Sequence, residues 1–243
     1  MKANSEDVYY HASLQIVSKP QWDYWPVSKD KERRDFGKGF YLCKNNREYP
    51  IRLYSKYYDS IVLNKYRFNH DNIKVLKLPD DIRWLLVVAC HRSDLSKYRK
   101  YHLMRDLIRQ AVSSYDLVVG TISNDRFFST AALFIKELAT DTLTIEIAQM
   151  MDFGTQYVSK SHNADRFLKY IGHEIISPDE IIPIRKQVLR DEEMMEELVD
   201  DKRGELIRRG MPGSLLSDHL KKMGGMSYVD IAGWLQCGQG LDG

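Results

Sequence analysis

The stretch Asp35-Phe36-Gly37-Lys38-Gly39-Phe40-Tyr41 decides the fold, because two glycines in it lead directly into an apolar run. Gly37 and Gly39 permit positive φ angles and a close approach of the backbone to its neighbours. Residues 40–43 have the composition of a strand that leaves a glycine turn. A second strand is predicted upstream, in Tyr9-Tyr10-His11-Ala12-Ser13. We expect the two stretches to face each other and to carry the chemistry of the protein.

The composition is that of an ordinary globular protein. The 243 residues are 43% hydrophobic and 29% charged, with a net charge of +2 that gives no signature of polyanion binding. Cys43, Cys90 and Cys237 are scattered, so neither a disulfide framework nor a structural zinc site is expected. No apolar run is long enough to span a bilayer, and residues 1–20 lack the apolar segment of a secretory signal. We therefore expect a cytoplasmic protein without a bound metal.

The pattern of apolar residues predicts a mixture of strands and helices. Further strands are predicted at 61–68, 73–78, 116–120 and 155–159, a helix at 163–171, and a short last strand at 174–176. The composition changes at Ser177-Pro178, where serine can cap a helix and proline can occupy its first turn. We predict two parts, a domain of residues 1–176 and a C-terminal helical extension of residues 177–243, in which residues 178–209 form one or two amphipathic helices.

Four motifs in a fixed order carry a resemblance to a known family. They are Tyr10-His11-Ala12-Ser13, the glycine stretch that ends at Tyr41, the segment Asp116–Gly120 with Asn124-Asp125-Arg126, and Gln156-Tyr157-Val158. Together they resemble the ADP-ribosyltransferases of the diphtheria-toxin and poly-ADP-ribose polymerase type, which have a His–Tyr–Glu signature. They are most similar to a bacterial branch of that group catalogued mainly as a domain of unknown function. The resemblance covers roughly residues 7–176.

The resemblance implies an α+β fold with a split antiparallel β-sheet, and a cleft that holds NAD. It implies that His11 hydrogen-bonds a ribose hydroxyl of the adenosine half. The backbone of Ala12, where the family usually has glycine, would bind the nicotinamide carboxamide, and Ser13 would add a polar contact. Gly39 would let the backbone approach the ligand, and Tyr41 would stack on the cationic nicotinamide ring.

A second aromatic residue closes the nicotinamide stack in the family, and Tyr49 and Tyr54 are both candidates for it. The resemblance places Gln156 where the larger superfamily has its catalytic glutamate. The amide oxygen of glutamine can accept a hydrogen bond from a ribose hydroxyl, but it lacks the full negative charge of a carboxylate. This departure argues against chain-forming polymerase activity.

Basic and acidic residues near these motifs leave two interpretations open. Arg34 and Lys38 flank the glycine turn and could contact the pyrophosphate of NAD, or they could belong to a solvated basic loop. Asp125 could cap the helix that is predicted to begin there, or Asp125 and Arg126 could face the acceptor or a phosphate.

These motifs together predict an NAD-dependent mono-ADP-ribosyltransferase that modifies a macromolecular acceptor, protein or nucleic acid, and releases nicotinamide. The resemblance further implies a toxin of a toxin–antitoxin or phage-defence system, with an antitoxin or chaperone as a possible partner. Two alternatives stay open. The chain could bind NAD or ADP-ribose without transferring it, as Gln156 suggests. It could also be a nucleic-acid or protein interaction module, as the basic residues and tyrosines of 92–109 suggest.

Overall fold

The structure, a computed structural model, describes residues 7–20, 34–92, 102–122, 131–150, 154–210 and 212–237. These residues form an α+β fold around one seven-stranded sheet. Its strands are β1 (Tyr9–Ser13), β2 (Phe40–Lys44), β3 (Ile61–Phe68), β4 (Val75–Lys77), β5 (Leu117–Thr121), β6 (Thr155–Ser159) and β7 (Leu168–Ile176). Its helices are α1 (Glu48–Ser55), α2 (Ile82–Arg92), α3 (His102–Ser113), α4 (Asp141–Gln149), α5 (His162–Asp165), α6 (Pro178–Arg208), α7 (Leu216–Lys222) and α8 (Tyr228–Cys237).

The strand order of the sheet is β4-β5-β6-β2-β1-β3-β7. The pair β4–β5 is parallel and all the other neighbouring strands are antiparallel. This order brings β1 and β2, the strands of the two stretches quoted first, side by side as expected. It also places β6, the strand of Gln156, directly beside β2.

The two faces of the sheet are buried by different sets of residues. Because side chains alternate along a strand, Ala12, Tyr41 and Val158 share one face of the sheet. On that face, one core cluster contains Val158 and the buried residues of α2. A second core cluster contains Ala12 and buried residues of α1 and of the start of α6. The opposite face is covered by an aromatic-rich cluster that includes Tyr9, Phe40 and Tyr66.

The glycine turn between Asp35 and Phe40 packs tightly on its surroundings. Gly37 has a φ of +72°, and a Cβ on it would lie 2.5 Å from the His91 ring. A Cβ on Gly39 would lie 2.5 Å from a methyl group of Val158 and 2.7 Å from a backbone oxygen of β6. The ammonium of Lys160 donates to the carbonyls of Phe36, at 2.6 Å, and Lys38. The turn is therefore fixed to the interior strand β6 and to α2.

The predicted helix at 163–171 is wrong. Helix α5 ends at Asp165, and residues 168–176 form the nine-residue strand β7, much longer than the three residues predicted. Exposure alternates along β7 with a period of two, which is the pattern of an edge strand that packs on one face. Pairing with β3 along its whole length imposes the strand, with a bulge where Gly172 has a φ of +139°.

The C-terminal helices pack on the same body as the sheet. The predicted change at residue 177 coincides with the start of α6, which runs unbroken through Pro183 as one helix of 31 residues. Buried residues of α6, α7 and α8 belong to the same core cluster as α2, α3 and Val158. Among the described residues, no helix has both the length and the apolar composition of a membrane span.

Candidate functional site

A cleft of about 490 Å³ opens on the face of the sheet that carries Ala12 and Tyr41. It lies between the two core clusters of that face, with α1 and α6 on one side and the glycine turn and α2 on the other. Its volume lies in the range of small-molecule sites. His11, Ala12, Tyr41 and Gln156 all line it.

The sheet opens between β1 and β2 beside this cleft. The two strands pair only at Tyr9 with Lys44 and at Tyr10 with Cys43. The N–H of Asn45 donates to the carbonyl of Val8, so Val8, Tyr10 and Ala12 turn their backbone polar groups toward β2. Ala12 lies beyond the last pair, so its N–H and C=O face the gap. These are the backbone groups for which the resemblance implies a contact with the nicotinamide carboxamide.

The imidazole of His11 bridges the gap. Its Nδ1 lies 2.9 Å from the carbonyl of Tyr41, and its ring packs against Phe40 with centroids 4.3 Å apart. Burial lowers the pKa of His11 to about 4, and the nearby Arg34 guanidinium contributes in the same direction. The ring is therefore neutral near pH 7, with the proton on Nδ1 and Nε2 left as an acceptor.

The ring of Tyr41 forms part of the cleft wall, and its hydroxyl is held by the glycine turn. The hydroxyl donates to the carbonyl of Gly37 at 2.6 Å and accepts from the N–H of Phe36 at 3.2 Å. Burial raises the pKa of this phenol far above its usual value, so the hydroxyl stays protonated. The guanidinium carbon of Arg34 lies 5.0 Å from the ring centroid, so this ring already receives a cation on one face.

Gln156 projects from β6 into the base of the cleft, where it is only 5% exposed. Its Nε2 donates to Asp35 Oδ2 at 2.6 Å and to the carbonyl of Thr121 at 3.2 Å. Both partners are acceptors, so they fix which end of the amide is nitrogen. The Oε1 atom has no hydrogen-bond donor among the described residues and is available to a ligand.

Tyr49 and Tyr54 both line the cleft from α1, so the structure brings both candidates for the second aromatic residue to it. Tyr54 is buried, and its ring packs near that of Tyr58 with centroids 5.8 Å apart. Tyr49 is half-buried at the start of the helix, where its N–H donates to the side chain of Asn46. Tyr49 is therefore more exposed to the cleft and to solvent than Tyr54 is.

Three predicted contact residues do not line the cleft. The Ser13 hydroxyl accepts from Asn64 at 2.9 Å and donates to the carbonyl of Gln15, so it stabilises the chain after β1. Gly39 makes its close approach to β6 and not to a ligand. Lys38 is exposed on the turn, and its carbonyl accepts from Lys160. The predictions for Asp125 and Arg126 lie outside the described residues.

The comparisons with known proteins identify a family for this chain. A protein-family model described as "Protein of unknown function (DUF3990)" matches residues 8–170, which is more than half of the chain. The chain belongs to the DUF3990 family. No curated protein and no solved structure matches it. The DUF3990 region contains β1 to β6, and hence His11, Tyr41 and Gln156, and it ends within β7.

Sequence reasoning missed two groups of cleft residues. Asp35 and Arg92 lie within the DUF3990 region and form a buried ion pair, with Arg92 Nε 2.6 Å from Asp35 Oδ1. Asp35 stands in the glycine stretch, and this position could have identified it as a cleft residue. No sequence pattern indicated its partners. Asp191 and Glu192 of α6 lie beyond the DUF3990 match and line the opposite wall.

The α6 carboxylates pair with one basic residue of α1 and with the basic residue that directly follows this helix. Asp191 pairs with Arg52 and Glu192 pairs with Lys56. Lower on α6, Arg185 donates to Asp59 and to the carbonyls of Ser55 and Tyr58, so it caps the C-terminal end of α1. The region predicted as a C-terminal helical extension thus supplies one side of the cleft.

Proposed function

We propose that this DUF3990 chain is a mono-ADP-ribosyltransferase that binds NAD in the cleft and transfers its ADP-ribose to a macromolecule. The observation that carries the proposal is the convergence of His11, Tyr41 and Gln156 on one cleft, at the opening between β1 and β2. These residues are distant in the sequence, and each belongs to one of the four motifs that carry the resemblance to the ADP-ribosyltransferases. We assign the fold to the split antiparallel sheet of that group on this basis.

The groups of the cleft fit the chemistry of the substrate. The Ala12 backbone can bind the carboxamide, the Tyr41 ring accepts a cation, and the Nε2 of His11 can accept from a ribose hydroxyl. Gln156 Oε1 can accept from the hydroxyl beside the bond that breaks. Arg34, Arg52 and Lys56 add positive charge where a diphosphate can lie.

The reaction breaks the bond between the ribose carbon and the nicotinamide nitrogen. Nicotinamide leaves with the electron pair of that bond, an acceptor oxygen or nitrogen forms a new bond to the ribose carbon, and the acceptor loses a proton. The transition state resembles an oxocarbenium ion, so acceptor groups near the ribose lower its energy. We further propose a toxin or defence role in the cytoplasm, with an antitoxin or chaperone partner, on the resemblance alone.

The second candidate function is binding of NAD or ADP-ribose without transfer. It is favoured by the amide of Gln156, because an amide oxygen stabilises developing positive charge less than a carboxylate does. Nicotinamide release distinguishes the two functions, since both predict binding. If the protein is instead an interaction module for other partners, saturating NAD leaves its melting temperature unchanged, whereas a ligand at about 100 times its Kd adds about 2.7 kcal/mol.

The test is nicotinamide release from NAD by the purified protein, followed by incubation with labelled NAD in a lysate. We expect release from the unmodified protein and at least a tenfold loss in the His11→Ala and Tyr41→Ala variants. His162→Ala is the matched control, because this imidazole is 90% exposed and lies away from the cleft. Separate nuclease and protease digestion of the labelled product then identifies the acceptor. Binding without release would leave only the second candidate.

A further inference from the structure

The orientation of the Gln156 amide is set by its protein partners. Nε2 lies 2.6 Å from a carboxylate oxygen of Asp35 and 3.2 Å from the carbonyl of Thr121. A carboxylate and a carbonyl only accept hydrogen bonds, so neither partner can donate one to the amide. A rotated amide would place Oε1 against two acceptors, which is unfavourable in a site this deeply buried.

Asp35 is itself held in place from the opposite side. Its residue is only 3% exposed, and Oδ1 lies 2.6 Å from Arg92 Nε at the end of α2. The ion pair offsets much of the cost of burying the carboxylate. Asp35 also begins the glycine turn whose backbone holds the Tyr41 hydroxyl, so one residue connects α2, the turn and β6.

We propose that Asp35 is a positioning residue, which fixes Gln156 with Oε1 toward the cleft and determines that residue 156 is an amide. The claim that Asp35 orients Gln156 rests on the proposed function only in naming the ligand that Oε1 binds. The claim that Asp35 determines an amide at residue 156 concerns the fold alone. It explains the glutamine without reference to activity, because the buried neighbour of residue 156 requires a donor.

The proposal has a direct consequence for the Gln156→Glu substitution. The new side chain would bring a carboxylate oxygen to the place that Nε2 occupies, 2.6 Å from the Asp35 carboxylate. Two carboxylates at that distance cannot both be ionised in a buried site. Exchanging the two groups, as D35N with Q156E, restores one donor and one carboxylate, and it keeps the net charge near Arg92.

The first arm of the test measures melting temperatures of Q156E, D35N and the double variant at pH 7. We expect Q156E to lower the melting temperature by about 5 °C or more, since a destabilisation of 1 kcal/mol shifts it by about 2–4 °C in a chain of this size. We expect the double variant to recover at least half of that loss. A double variant that loses the sum of the two single losses would overturn the proposal, because it would show no coupling.

The second arm measures kcat and KM for nicotinamide release. D35N replaces the nearer of the two acceptors with an amide that can also donate, while the more distant Thr121 carbonyl remains. The Gln156 amide can then rotate, and we expect kcat to fall about tenfold with KM within about twofold. The double variant is expected to regain kcat, because it again directs an acceptor toward the cleft. Asp200→Asn, which breaks an exposed ion pair with Arg203 elsewhere on α6, is the matched control and leaves both constants unchanged.

The two arms separate the failure of this proposal from the failure of the proposed function. If the unmodified protein releases no nicotinamide, the proposed function fails, and the melting arm still decides whether Asp35 orients residue 156. If the unmodified protein is active but D35N has the same kcat, Asp35 does not position the acceptor. Recovery of both stability and kcat in the double variant supports the proposal in full.

Discussion

At the scale of single residues, the candidate chemical groups are held through the main chain of their neighbours. His11 bonds to the carbonyl of Tyr41, Tyr41 bonds to the carbonyl of Gly37, and Gln156 bonds to the carbonyl of Thr121. Backbone acceptors cannot rotate away, so these side chains are oriented before any ligand binds. The sequence predicted the three side chains because their types follow a motif, but backbone partners leave no trace in residue identity.

Two buried imidazoles make stability depend on pH. Burial lowers the pKa of His11 to about 4 and that of His91 to about 3, from 6.5. Between about pH 6.5 and pH 4, the unfolded chain binds protons at both rings and the folded chain does not. The free energy of unfolding is therefore at its full value above pH 6.5 and falls as the pH decreases toward 4.

We expect each ring to contribute a loss of up to about 2 kcal/mol between pH 6.5 and pH 5, somewhat less for the half-buried His11. Urea unfolding at pH 7 and pH 5 measures the loss. In the His91→Gln variant, the free energy of unfolding should differ less between pH 7 and pH 5, by the amount that one imidazole contributes. An equal difference in this variant and in the unmodified protein would contradict the assignment to His91.

At the scale of elements, α6 determines the shape and the charge of the cleft. Its carboxylates Asp191 and Glu192 pair with Arg52 and Lys56, two of the cations that the proposed diphosphate contact requires. These ion pairs are partly exposed, so each contributes about 1 kcal/mol or less to stability. A substrate with a negative charge therefore competes with the helix for the same cations.

The double variant D191N/E192Q should bind NAD several-fold more tightly, because it frees Arg52 and Lys56 from the helix. Calorimetric titration at low salt measures the affinity, and the melting temperature should change little. Glu205→Gln is a suitable control, since it removes a carboxylate from the far end of α6, where its partners are Lys202 and Arg209. Weaker binding in the double variant would mean that the carboxylates themselves contact the ligand.

The elements also separate what the sequence could predict from what it could not. The strands β1, β2, β5 and β6 follow from short apolar runs next to turn residues, and their positions were predicted. The strand β7 was mistaken for a helix over 163–171, because its pairing with β3, about 100 residues earlier, outweighs local preference. The contributions of Arg92 and α6 to the cleft were not predicted for the same reason, since both depend on packing between distant elements.

At the scale of the whole molecule, one core connects the cleft with the C-terminal helices. Trp234 of α8 is buried in the cluster that also contains Phe36 of the glycine turn and Val158 of β6. Helix α8 packs against α3 and the edge strand β4. The stability of the cleft therefore includes the packing of helices that do not touch it.

Trp234→Ala is expected to lower the free energy of unfolding by about 3–5 kcal/mol, since it leaves a large cavity in the shared core. The loss should appear in a single melting transition followed by both circular dichroism and fluorescence. Val229→Ala on the same helix, at a side chain that is 73% exposed, should stay within about 0.5 kcal/mol of the unmodified protein. Separate transitions for the sheet and the C-terminal helices would contradict a common core.

The strand order has a consequence for synthesis on the ribosome. The wall of the cleft combines His11 of β1 with Gln156 of β6 and Glu192 of α6, and β6 lies between β2 and β5 in the sheet. A nascent chain that ends before residue 192 lacks part of this wall, and the pairing of β2 with β6 must wait for more than 100 residues of translation. Any activity of this cleft is therefore withheld from the growing polypeptide until most of it has emerged.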